Sequence, residues 1–144
     1  MADLEKLQPI ADRVIDQYGA TGLESLSPRD RVFFLVWSYS VGLENGGHAS
    51  FFYNSQGNHY DETVGALEQL DLKPFADLLQ RAANSLFHGD VPRDWEERNA
   101  IINELPDDPE IDEELERLDS EYGSYCGSDG VLVLEVLGRW YFRP

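Results

Sequence analysis

A dense run of acidic residues limits how this chain can fold more than any other feature. Residues 90–121 contain 14 of the chain's 28 Asp and Glu residues and only three Arg, and residues 104–121 contain ten acids and one Arg. Carboxylates at this density repel one another and must face water or a cationic partner. The segment is therefore a disordered linker, a solubilising face, or a structured surface that attracts basic ligands.

The spacing of apolar residues within the acidic run indicates a helix. These residues recur at i, i+4, i+7 and i+11, which places them on one helical face: Ile111, Leu115, Leu118 and Tyr122. Most of the neighbouring acids fall off this stripe. We therefore expect an amphipathic helix that docks on the core and carries its carboxylates on the outer face.

The composition is typical of one globular domain spanning residues 1–144. The chain is 42% hydrophobic and 12% aromatic, which is enough to fill a core. Its net charge of −17 excludes nucleic acid and anionic membranes as directly attracted partners, and it favours a basic protein, a cation, or solubility for its own sake. The longest apolar run covers only residues 32–37 and the N-terminus is acidic, so we expect a cytoplasmic protein without a membrane span. The single cysteine, Cys126, fits a reducing compartment.

Helical periodicity and capping signals predict an all-α fold, with about seven or eight helices in a single compact domain. Residues 1–20 form a first helix that Gly19 and Gly22 end, and Ser27-Pro28 begins the next helix as its N-cap and first residue. Residues 32–41 are apolar nearly all round. This favours one central buried helix, although the Val, Phe, Trp and Tyr content also suits a strand.

The later segments follow the same helical pattern. Residues 61–71 and 73–87 carry apolar residues at helical spacing, and the second segment matches the template at every expected position. We expect Pro92 to begin a helix that carries Trp95, and residues 123–127 to end the acidic helix. Residues 131–142 favour a helix capped by Ser128 or Asp129, while a strand over residues 131–134 stays open.

Signatures of catalysis and of metal or cofactor binding are absent from the sequence. There is no HExxH, CxxC, EF-hand, GxGxxG or Walker pattern, and none of His48, His59 and His88 pairs with another at a spacing of four. Paired carboxylates occur throughout the chain, so no single pair indicates acid–base chemistry. We expect no enzyme activity, no cofactor and no metal ion.

The sharpest local signal is residues 43–58, which read LENGGHASFFYNSQGN. This segment is a helix stop at Asn45-Gly46-Gly47, an aromatic group containing Phe52 and Tyr53, and a second polar turn after Asn54. Asn and Gly accept positive φ at little cost, and the amides of Asn45 and Asn54 can bond free backbone groups around the turns. We interpret these residues as a structural corner that packs aromatic rings into the core.

The same string resembles the signature of the DNA-mimic protein family, formerly a domain of unknown function, in which Asn-Gly-Gly precedes aromatic-Tyr-Asn-Ser and a Gly. The similarity extends to residues 27–37, to residues 87–92 followed by Arg98, to residues 115–122 and to Trp140-Tyr141. It covers about residues 22–144 and leaves the helix at residues 1–20 outside. His48 stands where family members more often carry an aromatic residue. The resemblance implies an all-helical fold, no catalysis, and acidic surfaces that occupy the DNA-binding face of a basic protein.

The leading functional hypothesis is an acidic, non-enzymatic interaction domain whose carboxylates imitate DNA phosphates. It would bind or sequester a basic DNA-binding protein such as a transcription regulator. Acids at i, i+3 and i+4 of a helix lie about 5–6 Å apart at Cβ, comparable to the charge spacing along a nucleic-acid strand. The candidate partner-binding acids are Asp94, Glu96, Glu97, Glu104, Asp107, Asp108, Glu110, Asp112, Glu113, Glu114, Glu116, Asp119 and Glu121.

Two other functions remain open at this stage. An immunity or antitoxin-type protein would use the same acids to block a basic nuclease. An enzyme would need the polar groups of Asn45, His48 and Asn54 to converge in a pocket rather than serve the turns. The sequence also leaves open whether the protein forms a homodimer. It does not decide whether the acids are positioned as a phosphate mimic or only make the protein soluble.

Overall fold

A computed structural model describes residues 4–126 and 132–143, and within them it confirms the predicted all-α class, with no strand. The described helices are α1 (Leu4–Thr21), α2 (Pro28–Tyr53), α3 (Tyr60–Gln69), α4 (Lys73–Phe87), α5 (Trp95–Asn103), α6 (Pro109–Cys126) and α7 (Leu132–Tyr141). Two short 3-10 helices, Leu23–Ser25 and Ser55–His59, lie between α1 and α2 and between α2 and α3.

The central helix is α2, as the apolar run predicted. Its first turn begins at the expected place, because the Ser27 side chain accepts a hydrogen bond from the Asp30 backbone N–H at 3.1 Å. Phe33, Val36 and Tyr39 have no exposed surface. All six of the other described helices contact α2, so each buries part of its apolar face against this helix.

A kink divides α2 into a first arm, residues 28–45, and a second arm, residues 48–53. The backbone leaves the helical conformation at Gly46 (φ 173°, ψ 24°) and at Gly47 (φ 76°, ψ −164°). The predicted helix stop is therefore a change of direction, after which the chain resumes helical structure and buries Phe51 and Phe52. Of the two glycines, only Gly47 has a positive φ and needs the freedom that glycine provides.

The packing of α4 follows its sequence pattern residue by residue. Every apolar position that the helical template placed inward is buried: Phe75, Leu78, Leu79, Ala82, Ala83, Leu86 and Phe87. The helix contacts α3 and α6. It is therefore the platform on which the acidic helix docks.

Several helix ends differ from the predicted ones. α1 continues past Gly19, because a helical glycine costs only about 1 kcal/mol relative to Ala and packing offsets this. It ends at Thr21, directly before Gly22, so the second of the two predicted glycines does end the helix. α5 begins at Trp95 rather than at Pro92. The Asp94 carboxylate accepts a hydrogen bond from the Glu97 backbone N–H at 3.0 Å and so caps a helix that begins three residues later than expected.

The C-terminal part of the chain is helical where it is described. α6 continues through Gly123 to Cys126, and α7 covers Leu132–Tyr141, so the preferred helix is confirmed and the strand alternative is excluded over residues 132–134. Residues 127–131 lie outside the described residues, and with them the predicted caps Ser128 and Asp129.

A polar cluster ties α1 and α7 to the start of α2. The Arg13 guanidinium donates to both carboxylate oxygens of Asp30, at 2.9 and 3.2 Å, and the Tyr141 hydroxyl donates to Asp30 at 2.7 Å. The hydrogen bonds from Arg13 are the main reason that the pKa of Asp30 is lowered from its ordinary value. The cluster therefore stabilises the fold only while Asp30 is ionised.

We predict that Gly47→Ala destabilises the fold by about 1–3 kcal/mol. The positive φ disfavours an L side chain, and a Cβ at this position would overlap the Asp119 carboxylate. Asn45→Ala is the matched control, because Asn45 is exposed and its side chain makes no hydrogen bond in the described residues. We expect the control to change stability by less than about 0.5 kcal/mol. Chemical denaturation measures both, and a Gly47→Ala midpoint equal to that of the unmodified protein would contradict the prediction.

We also predict a pH-dependent stability difference between the unmodified protein and Asp30→Asn. Because the folded-state pKa of Asp30 lies below its unfolded value of about 3.9, its contribution is present above about pH 4 and is lost as the pH falls through the folded value. The difference in unfolding free energy should be constant from about pH 5 to pH 8 and should shrink below about pH 4. Urea titrations across this range test it, and a difference independent of pH would refute the role of ionised Asp30.

Candidate protein-interaction surface

The acidic helix α6 docks through the apolar stripe that its spacing predicted. Leu118, Tyr122 and Cys126 are buried, and the Tyr122 ring packs edge-on against Phe75 of α4 and Tyr39 of α2, with centroid separations of 5.6 and 6.1 Å. These contacts fix which side of α6 faces the core. Its carboxylates are therefore held on a structured helix and not on a disordered linker.

The thirteen candidate acids fall into two groups. Four are half-buried and have contacts within the protein: Asp108, Glu114, Asp119 and Glu121. The other nine are exposed: Asp94, Glu96, Glu97, Glu104, Asp107, Glu110, Asp112, Glu113 and Glu116. We call these nine the exposed acids. They are accessible to a partner, and one of them, Asp94, also caps α5, whereas the four half-buried acids help to hold the helices in place.

One flank of α6 is paired with α4 through Arg81. The Arg81 guanidinium lies 3.2 Å from the Glu114 carboxylate and 3.0 Å from that of Glu121, while Arg117 approaches the other Glu114 oxygen. The side chains of Arg81 and Glu114 are only partly exposed, which protects their ion pair from part of the screening by water. These charges therefore orient α6 and relieve some of its internal repulsion.

The opposite flank of α6 caps the second arm of α2 through Asp119. The kink leaves the His48 backbone N–H without a helical acceptor, and Asp119 Oδ1 accepts a hydrogen bond from it at 2.9 Å. The same oxygen lies 2.7 Å from Nδ1 of the fully buried His48 ring. This role of Asp119 was not predicted from the sequence. The signal for it was that Asp119 directly follows Leu118 of the apolar stripe, which places its side chain close to the core.

The second half of the signature segment forms a binding site for the buried side chain of Arg98. This guanidinium is fully buried, and burial is the main reason that its pKa is lowered from the ordinary value. It donates hydrogen bonds of 2.7–3.0 Å to five oxygens, namely the backbone carbonyls of Phe52, Asn54, Pro92 and Arg93 and the Oδ1 atom of Asn58.

The arrangement around Arg98 explains the glycine at the end of the signature. A Cβ at Gly57 would lie 2.8 Å from Arg98 Nε, so a larger residue would displace the guanidinium. The carbonyls that Arg98 binds come from the end of α2 and from the turn before α5. Arg98 therefore fixes the start of α5, and its acids, against the central helix.

The polar residues Asn45, His48 and Asn54 of the signature do not share one contact. The Asn45 side chain is exposed, His48 is buried against Asp119, and the Asn54 amide donates to the Ser50 carbonyl at 2.9 Å. Three clefts on the described surface are lined by other residues and include none of these three. The convergence that an enzyme site would require at these positions is not observed, which weighs against that hypothesis.

The aromatic residues of the signature differ in their exposure. Phe52 is fully buried among Phe51, Tyr60 and Phe87, as the corner interpretation expected. Tyr53 is 42% exposed, and the Trp95 indole N–H donates to its carbonyl at 2.8 Å while the Trp95 ring stays 47% exposed. These two rings lie beside the acids that begin α5, so an apolar surface adjoins the acidic one.

The fold and the surface define an acidic, all-helical protein in which a signature segment positions exposed carboxylates. A family model described as DMP19-like protein matches residues 24–143, and the chain belongs to this family, the DNA mimic protein family. The family is in general non-enzymatic, and a DNA mimic binds a DNA-binding protein. The match begins after α1, which lies at residues 4–21.

Comparison with curated proteins and with solved structures returned no match. Within the described ranges, no helix combines the length and the hydropathy needed to cross a bilayer. In those same ranges, no three His, Cys, Asp or Glu side chains form a group that could hold a metal ion.

We predict that Arg98→Ala destabilises the fold by about 3 kcal/mol or more, because it leaves buried carbonyl oxygens without donors. Arg98→Lys should recover part of this loss, since an ammonium group has three donors and cannot reproduce the planar fork. Arg93→Ala is the control, because Arg93 forms exposed ion pairs that are worth about 0–1 kcal/mol. Thermal and urea unfolding of the three variants gives the ranking, and equal losses for Arg93→Ala and Arg98→Ala would contradict it.

Proposed function

We propose that this protein binds a basic DNA-binding protein, such as a transcription regulator, by presenting the exposed acids of residues 94–121 in place of DNA phosphates. Binding would keep the regulator from its DNA. We place this activity in the cytoplasm, where such regulators act. The proposal rests on membership in the DNA-mimic family together with one structural observation, which is that six of the nine exposed acids lie within the docked helices α5 and α6.

The dimensions of α6 are compatible with phosphate mimicry. A helix of 18 residues is about 27 Å long, which corresponds to about eight base-pair steps of duplex DNA. Glu110, Glu113 and Glu116 are exposed and recur every three residues along it, and neighbours at this spacing lie about 5–6 Å apart at Cβ. Such a row presents several charges at once to a surface that normally binds a phosphate backbone.

The arrangement of internal ion pairs supports the same proposal. The described Arg side chains near α6 engage the half-buried acids Glu114 and Glu121, and no ion pair in the described residues involves the exposed acids of α6. Unpaired carboxylates on a chain of net charge −17 repel one another, so this surface lowers the stability of the protein when no partner is bound. A basic partner would relieve that repulsion on binding.

We predict that the triple variant Glu110→Lys, Glu113→Lys and Glu116→Lys loses affinity for the partner by about 100-fold or more, because each reversal replaces attraction with repulsion. The partner is obtained by capture from native lysate at low salt and by elution with duplex DNA. Its affinity is then measured with the purified proteins at rising salt. Binding should weaken as salt rises, since exposed charges are screened over about 8 Å at physiological ionic strength.

The matched control is Glu5→Lys, Asp16→Lys and Glu68→Lys, which changes the net charge equally at exposed positions of α1 and α3. Glu5 and Glu110 both lie in a first helical turn, so the two triple variants lose a comparable helix-dipole contact. Equal losses of affinity in both triple variants would show that binding depends on net charge and not on the acids of α6. Binding that survives the reversals on α6 and competition by duplex DNA would refute mimicry, and capture of a nuclease in place of a regulator would favour the inhibitor hypothesis.

A further inference from the structure

A cleft of about 390 Å³ opens within the acidic surface, at the point where α5 ends and α6 begins. Its apolar wall contains Ile102 and Leu105 from the α5 side and Ile111 and Leu115 from α6. Ala49 of the second arm of α2 also lines it, and so do the exposed residues Asp107 and Asp112, which we call its rim. An open cleft that combines apolar side chains with two carboxylates is a more specific feature than charge alone.

The apolar residues of this cleft are only partly covered by the protein itself. Ile102, Leu105, Ile111 and Leu115 pack against the core but are half-buried, although Ile111 and Leu115 belong to the same stripe as the fully buried Leu118. Apolar surface left in water is unfavourable by about 25 cal/mol per Å². Covering this wall would therefore add to the affinity of any ligand that fits it.

The two carboxylates at the rim are free to meet such a ligand. Neither Asp107 nor Asp112 makes a side-chain hydrogen bond or an ion pair in the described residues. A ligand that combines a flexible apolar stem with a cationic end would satisfy both parts of the cleft at once. An anionic ligand would be repelled by the rim, and a purely apolar one would remove water from the carboxylates without replacing it.

We propose that this cleft receives an arginine side chain of the basic partner, with its methylene stem against the Ile and Leu wall and its guanidinium between Asp107 and Asp112. The proposal rests on the proposed function and adds a specific anchor to it. Arginine fits better than lysine because a guanidinium is more weakly hydrated than an ammonium and offers several donors in one plane, enough to reach two carboxylates. DNA has no equivalent of the apolar wall, so this contact gives the complex a salt-resistant component that phosphate mimicry alone lacks.

The site can be tested without the partner by titrating n-propylguanidinium, which is the arginine side chain as a small molecule, into the ¹⁵N-labelled protein. We expect saturable shifts confined to amides of the cleft residues, such as those of Leu105, Asp107 and Asp112. n-Propylurea has nearly the same shape without the charge, and guanidinium has the charge without the stem. Neither should produce the same saturable shifts. Shifts spread evenly over all exposed acids, or an equal response to guanidinium, would overturn the proposal.

Variants separate the cleft from general electrostatics. Ala49→Leu fills the cleft and leaves every charge in place, and Asp107→Asn with Asp112→Asn removes the rim charge and leaves the wall in place. Each should weaken n-propylguanidinium binding by about fivefold or more. Glu68→Gln, at an exposed position of α3 outside the cleft, should leave it unchanged. The dispersion of the amide spectrum verifies that each variant is folded, and unchanged binding in both the filled and the neutralised cleft would overturn the proposal.

The same variants distinguish this inference from the proposed function in the complex with the captured partner. We expect Ala49→Leu to reduce partner affinity by about tenfold and to leave the salt dependence unchanged, because no charge is altered. If the α6 reversals abolish binding and Ala49→Leu has no effect, the arginine anchor is wrong and mimicry stands. If the reversals have no effect, the proposed function itself fails.

Discussion

The buried guanidinium of Arg98 is the interaction on which the arrangement of this protein depends. It binds five oxygens from the end of α2, the following 3-10 helix and the turn before α5, and Gly57 is needed to leave room for it. Its burial is unfavourable, and these hydrogen bonds compensate for it. The acids that begin α5 are therefore placed against the central helix by a contact inside the protein, in spite of their mutual repulsion.

Much of the fold could be predicted because it follows from local patterns. Helical period and capping depend on neighbours in sequence. The sequence therefore predicted the Ser27 cap, the apolar positions of α4 and the Leu118–Tyr122 side of α6. The contacts that position the acidic surface could not be predicted from the sequence. Asp119 reaches His48 across 71 positions and Arg98 reaches Phe52 across 46, and such pairs are determined only when the helices pack. For the same reason the sequence could not distinguish Glu114, which is half-buried and pairs with Arg81, from Glu110, which is exposed.

The division of the acids into two groups joins the fold to the function. Glu114 and Glu121 pair with Arg81, and Asp119 caps the second arm of α2, so these carboxylates stabilise the docked state of α6. In the free protein the exposed acids repel one another and lower its stability, and a cationic surface that approaches them relieves this repulsion. The cleft between α5 and α6 has the same property, because its Ile and Leu residues are only half-buried in the free protein.

The most direct test of this account is amide hydrogen exchange of the protein alone and in complex with the DNA-binding protein that duplex DNA elutes from it. We predict slower exchange in residues 94–121 of the complex, with the strongest protection where α5 ends and α6 begins. Exchange in α1 and α7 should be unchanged. Protection confined to α1 and α7, with residues 94–121 exchanging as in the free protein, would contradict it.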